Sequence, residues 1–242
     1  MNILGIRIDS LSHEDLERTM AEKLESDKFF HIVTINPEML VLAQKNKEFK
    51  NILNASDLNV CDGFGIVLMA RLLYGKKIIR IPGVSVAEML CRICAKKGKS
   101  LYFLGGFGGS AEKSKTFLKK KYPNIEIVGV DSEGLYADQH VTEEIKEIHP
   151  DAILVAFGAP KQELWLHHQA KTISSLHIGI GVGGTFDFWA GKIKRAPLLF
   201  QKLGLEWLYR LFQEPRMRIK RIGNAVGIFS FLAVKERICK TK

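Results

Sequence analysis

Residues 58–67 read LNVCDGFGIV and place one carboxylate between an apolar run and a Gly-x-Gly turn. The run 58–61 has the composition of a buried strand, and apolar residues resume at Ile66. Asp62 is therefore predicted to lie at the exit of a strand, at the edge where ligands bind in open α/β sheets. The alternative is that Asp62 only caps the helix that follows, a role that Asp fills well.

Apolar strand-like runs alternate with helical patterns along most of the chain. The patterns predict strands at 29–35, 58–61, 101–104, 125–130, 152–157 and 177–182, and helices at 11–28, 84–97, 110–122, 141–149 and 161–172. Such alternation is typical of a parallel sheet that carries helices on both faces. We therefore expect an α/β, Rossmann-like fold with a mostly parallel sheet.

The composition is that of a folded globular protein, with 46% hydrophobic and 26% charged residues among 242. The net charge of +10 is concentrated near the C-terminus, because residues 196–242 hold ten Lys or Arg and three Glu, a net charge of +7. We divide the chain into a Rossmann-like core, residues 1–195, and a basic helical appendage, residues 196–242. A basic tail indicates an anionic partner, which can be nucleic acid, phosphate groups or anionic lipid.

The N-terminal sequence MNILGIRIDS lacks the basic and long apolar regions of a signal peptide. Four cysteines are too few and too scattered for a disulfide framework, and Cys91 and Cys94 form a CxxC inside a helical pattern. We therefore expect a cytoplasmic protein without a structural zinc or thiol centre.

A second strand exit carries the sequence TINPEML, residues 34–40. Pro37 suits the first turn of a helix, and apolar residues follow it at helical spacing. Thr34 and Asn36 are therefore predicted to lie at the end of a strand, facing the same crevice as Asp62.

A glycine-rich turn, GGFGGSA, follows the predicted strand 101–104. Gly106 and Gly108, with Asp131 at the end of the next strand, match a dinucleotide fingerprint: glycines for close approach of phosphates and an acid for ribose hydroxyls. The pattern fits NAD, and it fits a nucleotide diphosphate equally well. The alternative is a glycine-rich turn that binds nothing.

Three further loops carry candidate binding groups. In FGAPKQELW, residues 157–165, Gln162 can hydrogen-bond a sugar, whereas Glu163 is interpreted as part of a solvated first helical turn. Gly183 and Gly184 follow a strand and can turn backbone N–H groups toward an anion. Arg80, in RIPGVSV, can bind a diphosphate through its guanidinium.

Several motifs of other enzyme classes are missing from the sequence. His167 and His168 do not form an HExxH zinc site, and no Asp-x-Asp of the kind that holds a cation on a nucleotide sugar occurs. Neither Gly-x-Ser-x-Gly nor a Walker A sequence is found. A mechanism without metal or cofactor is therefore the simplest hypothesis.

The appendage has the pattern of helices that lie on a membrane. One side of a helix is formed by Leu203, Trp207, Leu208, Leu211 and Phe212. Residues 222–234 contain no charge but are too few to span a bilayer, which needs about 20. Basic flanks suit an anionic lipid surface. The alternative is a pair of helices that completes the core.

The ordered set TINPEML, VCDGFGIV, RIPGVSV, FGAPKQELW, GVGGTFDFWAGKIKRAP and GLEWLYRLFQEPR resembles the WecG/TagA/CpsF family of bacterial glycosyltransferases across nearly the whole chain. The resemblance implies an inverting, metal-independent transfer of N-acetylmannosamine from its UDP sugar to undecaprenyl-diphosphate-linked N-acetylglucosamine, a step of wall teichoic acid linkage-unit synthesis. It also implies a peripheral position on the inner face of the cell membrane.

The resemblance also implies roles for matching residues. Asp62 is the candidate base, Arg80 meets the diphosphate, and Thr34, Asn36 and Gln162 surround the sugars. The appendage is expected to bind membrane and to bring arginines over the site, and the candidates are Arg210, Arg216, Arg218 and Arg221.

Alternatives remain open at the level of the sequence. The donor can be another UDP sugar, such as a mannosaminuronate or glucose derivative. Gly106, Gly108 and Asp131 can also belong to a nicotinamide-dependent oxidoreductase. A nucleic-acid-binding module would explain the basic tail, but no reader motif is found, so we expect no nucleic acid partner. A homo-oligomer is left open.

Overall fold

The computed structural model describes residues 1–132, 139–194, 196–197, 200, 206–213, 215, 219 and 222–241. Its centre is a six-stranded parallel sheet with the strand order β4-β3-β8-β7-β5-β6. The strands are β3 (Phe30–Ile35), β4 (Leu58–Cys61), β5 (Ser100–Gly105), β6 (Glu126–Asp131), β7 (Ala152–Ala156) and β8 (Ile178–Gly181). All six predicted strands are confirmed. Before them, β1 (Asn2–Ile3) and β2 (Ile6–Arg7) form an antiparallel hairpin.

Nine α-helices among the described residues belong to the core, and the 3-10 helix Ala170–Thr172 follows the eighth of them. They are α1 (His13–Lys23), α2 (Pro37–Ala43), α3 (Lys47–Ala55), α4 (Phe64–Tyr74), α5 (Gly83–Lys97), α6 (Ser110–Lys121), α7 (Gln139–Ile148), α8 (Lys161–His168) and α9 (Thr185–Trp189). The tail adds the helix Glu206–Gln213, the π-helix Gly223–Ile228 and the C-terminal helix Phe229–Thr241.

The first helix is shorter than the predicted range 11–28. It begins after Ser12, whose hydroxyl accepts the N–H of Asp15 and thereby caps the helix. It ends before Ser26, whose hydroxyl accepts the N–H of Lys28, a local bond that competes with helix continuation. The helices α3 and α4 have no counterpart among the predicted ranges.

Strand residues alternate between the two faces of the sheet, and each face is covered by helices. In β3, Ile32 packs with α1 and α5 on one face, whereas Val33 packs with α2, α3 and α4 on the other. In β5, Leu101 and Phe103 join the first face, and Tyr102 packs under α7 and α8. The predicted Rossmann-like architecture, with helices on both faces, is therefore confirmed.

The C-terminal helix packs on the body beside α2 and α4. Phe229 and Ala233 are fully buried in the core that those helices share. Glu236 accepts the hydroxyl of Tyr74 at 3.0 Å and the N–H of Leu4 at 2.8 Å, so it fixes the helix to α4 and to the hairpin. One face of the C-terminal helix thus completes the core, as the alternative interpretation of the tail predicted.

The opposite face of the same helix is apolar and exposed. Phe231 is 65% exposed, and Val234 and Ile238 beside it are exposed as well. None of the helices in the described part of the chain combines the length and the apolar character that a membrane crossing requires.

Candidate active site

Asp62 and Arg80 form an ion pair at the carboxyl edge of the sheet. Asp62 directly follows β4, and its Oδ1 lies 3.6 Å from Nη2 of Arg80. Nε of Arg80 also donates to the backbone carbonyl of Asp62, which holds the guanidinium against the loop. The side chains are 30% and 20% exposed, so both remain accessible from solvent. The N-cap of α4 is Gly63 and has no side-chain cap, so the interpretation of Asp62 as a helix cap is wrong.

Thr34 reaches the same place from the neighbouring strand. β3 and β4 pair in register, with Thr34 opposite Val60, so their exits lie side by side. A methyl group placed on Gly83 would lie 3.0 Å from Oγ1 of Thr34 and 3.4 Å from Oδ2 of Asp62. Both side chains therefore lie against the N-terminus of α5, where Gly83 permits their close approach.

Asn36 lies in the loop between β3 and α2, beside the Asp62 loop. Its Oδ1 accepts the N–H of Met39 at 3.1 Å and so caps α2. A methyl group on Gly63 would collide with the ring of Pro37, so the two loops are in direct contact. The loops that carry Asn36 and Asp62 are therefore neighbours, whereas a common crevice and a sugar contact of Asn36 stay predictions.

Gln162 joins the exits of β7 and β8. Its Oε1 accepts the N–H of Gly158 and the N–H of Gly183, each at 3.0 Å. Its Nε2 donates to Oε1 of Glu163 at 2.7 Å. Gln162 is only 5% exposed, and its hydrogen bonds connect the loops that follow β7 and β8. Gly183 correspondingly spends its N–H on Gln162, and Gly184 precedes α9 as its N-cap.

The interpretation of Glu163 as a solvated residue is wrong. Glu163 is 1% exposed, and its Oε2 has no hydrogen-bond partner among the described residues. Burial raises the pKa of this carboxyl from 4.5 to about 7. Lys161, two residues earlier, is exposed as expected. The pattern of the first helical turn could not show that one of its charged residues packs inward, against β8.

The glycine-rich loop after β5 lies on the same edge but farther along the sheet. Gly106 and Gly108 adopt φ values of +91° and +65°. Asp131 pairs in register with Leu104, so it ends β6 beside this loop. Nζ of Lys192 donates to the carbonyls of Phe107 and Gly108 at 2.8 and 2.9 Å, a contact that the sequence did not suggest.

The candidate residues therefore fall into two groups. Thr34, Asn36, Asp62 and Arg80 meet at the exits of β3 and β4. Gln162, in α8, and Gly183, in the loop after β8, lie at the exits of the adjoining strands β7 and β8. Gly106 and Gly108 follow β5, which stands four strand spacings from β4, roughly 19 Å at 4.8 Å per spacing. The dinucleotide fingerprint and the carboxylate at position 62 are thus separate parts of the edge.

Arg210 belongs to the helix Glu206–Gln213, and its side chain lies outside the described residues, as do Arg216, Arg218 and Arg221. Gln213 ties this helix to the loop after α9, since its amide donates to the carbonyl of Lys194 and accepts the N–H of the same residue, both at 3.0 Å.

Within the described ranges, no three His, Cys, Asp or Glu side chains are grouped so that they could hold a metal ion. The CxxC cysteines Cys91 and Cys94 are buried in α5 as free thiols, and burial raises the pKa of both. His168 pairs with Glu48 on the surface.

Comparisons with known proteins identify the family of the chain. The model of the family described as "Glycosyl transferase WecG/TagA/CpsF family" matches residues 1–242. A Bacillus subtilis (strain 168) protein named N-acetylglucosaminyldiphosphoundecaprenol N-acetyl-beta-D-mannosaminyltransferase is 35% identical over 185 residues, which cover 76% of this chain and 72% of the relative. A Staphylococcus aureus (strain MW2) protein of the same name is 31% identical over 250 residues, which cover 100% of this chain and 96% of the relative.

Proposed function

The chain belongs to the WecG/TagA/CpsF family of glycosyltransferases, and we propose that it transfers N-acetylmannosamine from UDP-N-acetylmannosamine to undecaprenyl-diphosphate-linked N-acetylglucosamine. The acceptor and the sugar are those in the names of its relatives. The observation that carries the proposal is the accessible carboxylate of Asp62, held beside a guanidinium at the carboxyl edge of the sheet. The product would serve wall teichoic acid linkage-unit synthesis.

Asp62 acts as the general base of the transfer. The 4-hydroxyl of the acceptor sugar attacks the anomeric carbon of the donor on the side opposite UDP, so that configuration inverts. As the new C–O bond forms and the bond to the β-phosphate breaks, the hydroxyl proton passes to the carboxylate. The carboxylate lies 3.6 Å from Nη2 of Arg80, which holds it at the exit of β4. Proton transfer of this kind contributes roughly 10² to 10⁴ in rate.

Arg80 stabilises the leaving diphosphate. Its Nε donates to the carbonyl of Asp62, and its Nη2 lies 3.6 Å from Oδ1 of Asp62, so the guanidinium is held at the carboxyl edge of the sheet. Negative charge grows on the diphosphate in the transition state, and a fixed guanidinium stabilises that charge most at that moment. The N-terminus of the 15-residue helix α5 lies at the same place and favours an anion as well.

We propose that this chemistry needs no metal ion. Arg80 and the arginines of the tail supply the positive charge that a divalent cation gives to other sugar-nucleotide transferases. If a metal were required, removal of divalent cations with EDTA would stop UDP release. We expect the rate to stay unchanged.

The oxidoreductase alternative loses support. Its fingerprint residues Gly106 and Gly108 lie at the far part of the edge, and the family match is to transferases. The same loop and Asp131 can instead hold the nucleotide end of a UDP sugar, which offers the same phosphates and ribose diol.

We propose that the protein works at an anionic membrane surface. The exposed side chains Phe231, Val234 and Ile238 are accompanied by an apolar stripe on α4, formed by Phe64, Leu68 and Leu72 at spacings of four residues. Residues 64–77 contain three basic residues and no acid. The C-terminal helix packs directly beside α4, so both apolar faces can meet one lipid surface with a basic rim.

The decisive test is UDP release by the full-length chain with a panel of UDP sugars and a lipid-diphosphate N-acetylglucosamine acceptor. We expect release with UDP-N-acetylmannosamine to depend on the acceptor. A glucose or mannosaminuronate donor that works better would change the assignment of the substrate. Absence of UDP release with every donor would refute the proposed activity.

A further inference from the structure

We infer that Glu163 is a positioning residue for the transfer reaction, which acts by fixing the amide of Gln162 so that the exits of β7 and β8 are held at one spacing. The inference rests on the proposed function, because it assigns a role within the same site. Glu163 itself is buried and touches no substrate, so its effect passes through Gln162.

The hydrogen-bond partners of Gln162 fix the direction of its side-chain amide. The two backbone groups that meet Gln162 are the N–H groups of Gly158 and Gly183, and an N–H only donates. The oxygen end of the amide must therefore face them, and the nitrogen end must face Glu163. An ionised or neutral carboxyl can accept that N–H, and it does so at 2.7 Å.

The side chains of Gln162 and Glu163 pack closely on β8. A methyl group on Gly181 would lie 2.5 Å from Nε2 of Gln162 and 2.7 Å from Oε1 of Glu163. Gly181 therefore lets the two side chains lie directly on β8. Because Gln162 and Glu163 are both buried, loss of the acceptor leaves the Gln162 N–H buried and unsatisfied.

Gly181 connects the pair to the residues around Asp62. The carbonyl of Gly181 accepts the hydroxyl of Thr34 at 3.4 Å. Thr34 and Asp62 both border Gly83 at the start of α5. A short series of contacts thus joins Glu163 to the candidate base, and a shift of the β8 exit would move groups that border the sugar site.

Two substitutions of Glu163 separate the positioning role from packing. Glu163→Gln keeps an oxygen acceptor for the Gln162 N–H, whereas Glu163→Leu keeps similar volume and removes the acceptor. In the full-length chain, we expect Glu163→Leu to lower kcat/KM for the UDP sugar at least about tenfold and Glu163→Gln to stay within about threefold of wild type, because small misplacements in a site cost large factors in rate.

A matched control accounts for lost stability. Ile145→Ala truncates a fully buried residue of α7 in the same hydrophobic cluster as α8, and Ile145 takes no part in the hydrogen bonds of the pair. At a temperature where both variants are folded, we expect Ile145→Ala to retain the wild-type kcat/KM. A loss in Ile145→Ala equal to that in Glu163→Leu, or a Glu163→Gln variant as impaired as Glu163→Leu, would overturn the inference.

A second readout does not depend on activity. Amide hydrogen exchange resolved by NMR should show faster exchange at Gly158 and Gly183 in Glu163→Leu, and wild-type exchange in Glu163→Gln. Unchanged protection of both amides in Glu163→Leu would show that Glu163 does not fix the amide of Gln162, even if the wild-type protein catalysed no sugar transfer. Hydrogen exchange therefore tests the positioning role of Glu163 separately from the proposed function.

A double mutant tests the route through Gln162. If Glu163 acts only by fixing this amide, Glu163→Leu should add little to the loss in kcat/KM that Gln162→Leu already causes, since residues in one hydrogen-bond network are not additive. Full additivity of the two losses would contradict the inference.

Discussion

At the scale of single residues, two carboxylates at the same edge meet opposite surroundings. Asp62 keeps 30% exposure and a guanidinium partner, as a base that must meet a substrate requires. Glu163, in α8, is enclosed against β8, and burial raises its pKa to about 7. The position of Asp62 could be predicted from sequence, because a strand followed by Gly-x-Gly fixes it locally. The burial of Glu163 could not, since it depends on packing against Gly181.

We predict that Arg80→Lys lowers kcat by at least about tenfold, because removal of one transition-state donor typically costs roughly 10² to 10³ and lysine retains the charge. Lysine has a single charged nitrogen and cannot hold the carbonyl of Asp62 while facing the carboxylate and the diphosphate together. Steady-state UDP release measures the effect, with circular dichroism as a control for folding. Wild-type rates in Arg80→Lys would remove the diphosphate role from this residue.

The pH dependence of stability should expose Glu163. The pKa of Glu163 is raised in the folded state. Its contribution to the free energy of unfolding is therefore full below pH 4.5 and is lost as the pH rises through about 7. His31 is fully buried, its ring nitrogens have no partner among the described residues, and burial lowers its pKa to about 3. Its contribution is therefore lost as pH falls from 6.5 toward 3, which opposes the Glu163 effect between pH 4.5 and 6.5.

We predict that Glu163→Gln removes the first effect. Relative to wild type, the free energy of unfolding of Glu163→Gln should rise by about 3 kcal/mol between pH 4.5 and pH 7. Urea unfolding at a series of pH values within this window measures the difference. A difference between variant and wild type that stays constant across the window would show that Glu163 does not titrate as its burial requires.

At the scale of secondary structure, the strands follow from the sequence and several helix ends do not. Runs such as FHIVTI are short, apolar and β-branched, and each became a strand. The helix α1 ends where Ser26 forms a local hydrogen bond, a competition that periodicity does not report. The outward face of α4 is likewise hidden in the sequence, because FGIVLMARLLY is apolar on almost every side and only packing decides which residues are exposed.

We predict that Leu72→Glu weakens binding of the full-length protein to vesicles that contain anionic phosphatidylglycerol. Leu72 is 66% exposed on α4, and loss of one buried leucine side chain at about 1.5–3 kcal/mol corresponds to roughly a tenfold to hundredfold weaker association. Vesicle sedimentation measures binding, and activity on a water-soluble acceptor should be unchanged.

The matched control is Phe117→Glu on α6. Phe117 is also an exposed apolar residue, but α6 covers the opposite face of the sheet. We expect this variant to bind vesicles as the wild type does. Equal binding by Leu72→Glu and wild type, or a change in molecular mass that indicates a dimer at this face, would contradict the lipid assignment.

At the scale of the whole molecule, the last helix of the tail packs beside the loop that follows Asp62, since a methyl group on Gly65 would lie 3.8 Å from the ring of Phe229. The tail was predicted as an appendage from its charge, but its last helix completes the core beside α2 and α4. Charge and periodicity could predict an amphipathic helix; they could not predict that Glu236 binds Tyr74 and the hairpin, because those contacts join distant parts of the chain.

We predict that Phe229→Ala lowers the free energy of unfolding by about 3–5 kcal/mol, the usual cost of removing a buried phenylalanine ring. Phe231→Ala, two residues along the same helix and 65% exposed, should change it by less than about 0.5 kcal/mol. Urea unfolding of the two variants gives the comparison. Equal effects would mean that the C-terminal helix does not pack on the body through Phe229.

The central claim is that Asp62 takes the proton of the acceptor hydroxyl, and the turnover of Asp62→Asn tests it most directly. Asparagine keeps the shape of the side chain and removes the basic oxygen, so kcat for UDP release should fall by more than about tenfold, as expected for loss of a general base. The dissociation constant for UDP should remain close to that of the wild type. Turnover of Asp62→Asn equal to that of the wild type would contradict the account.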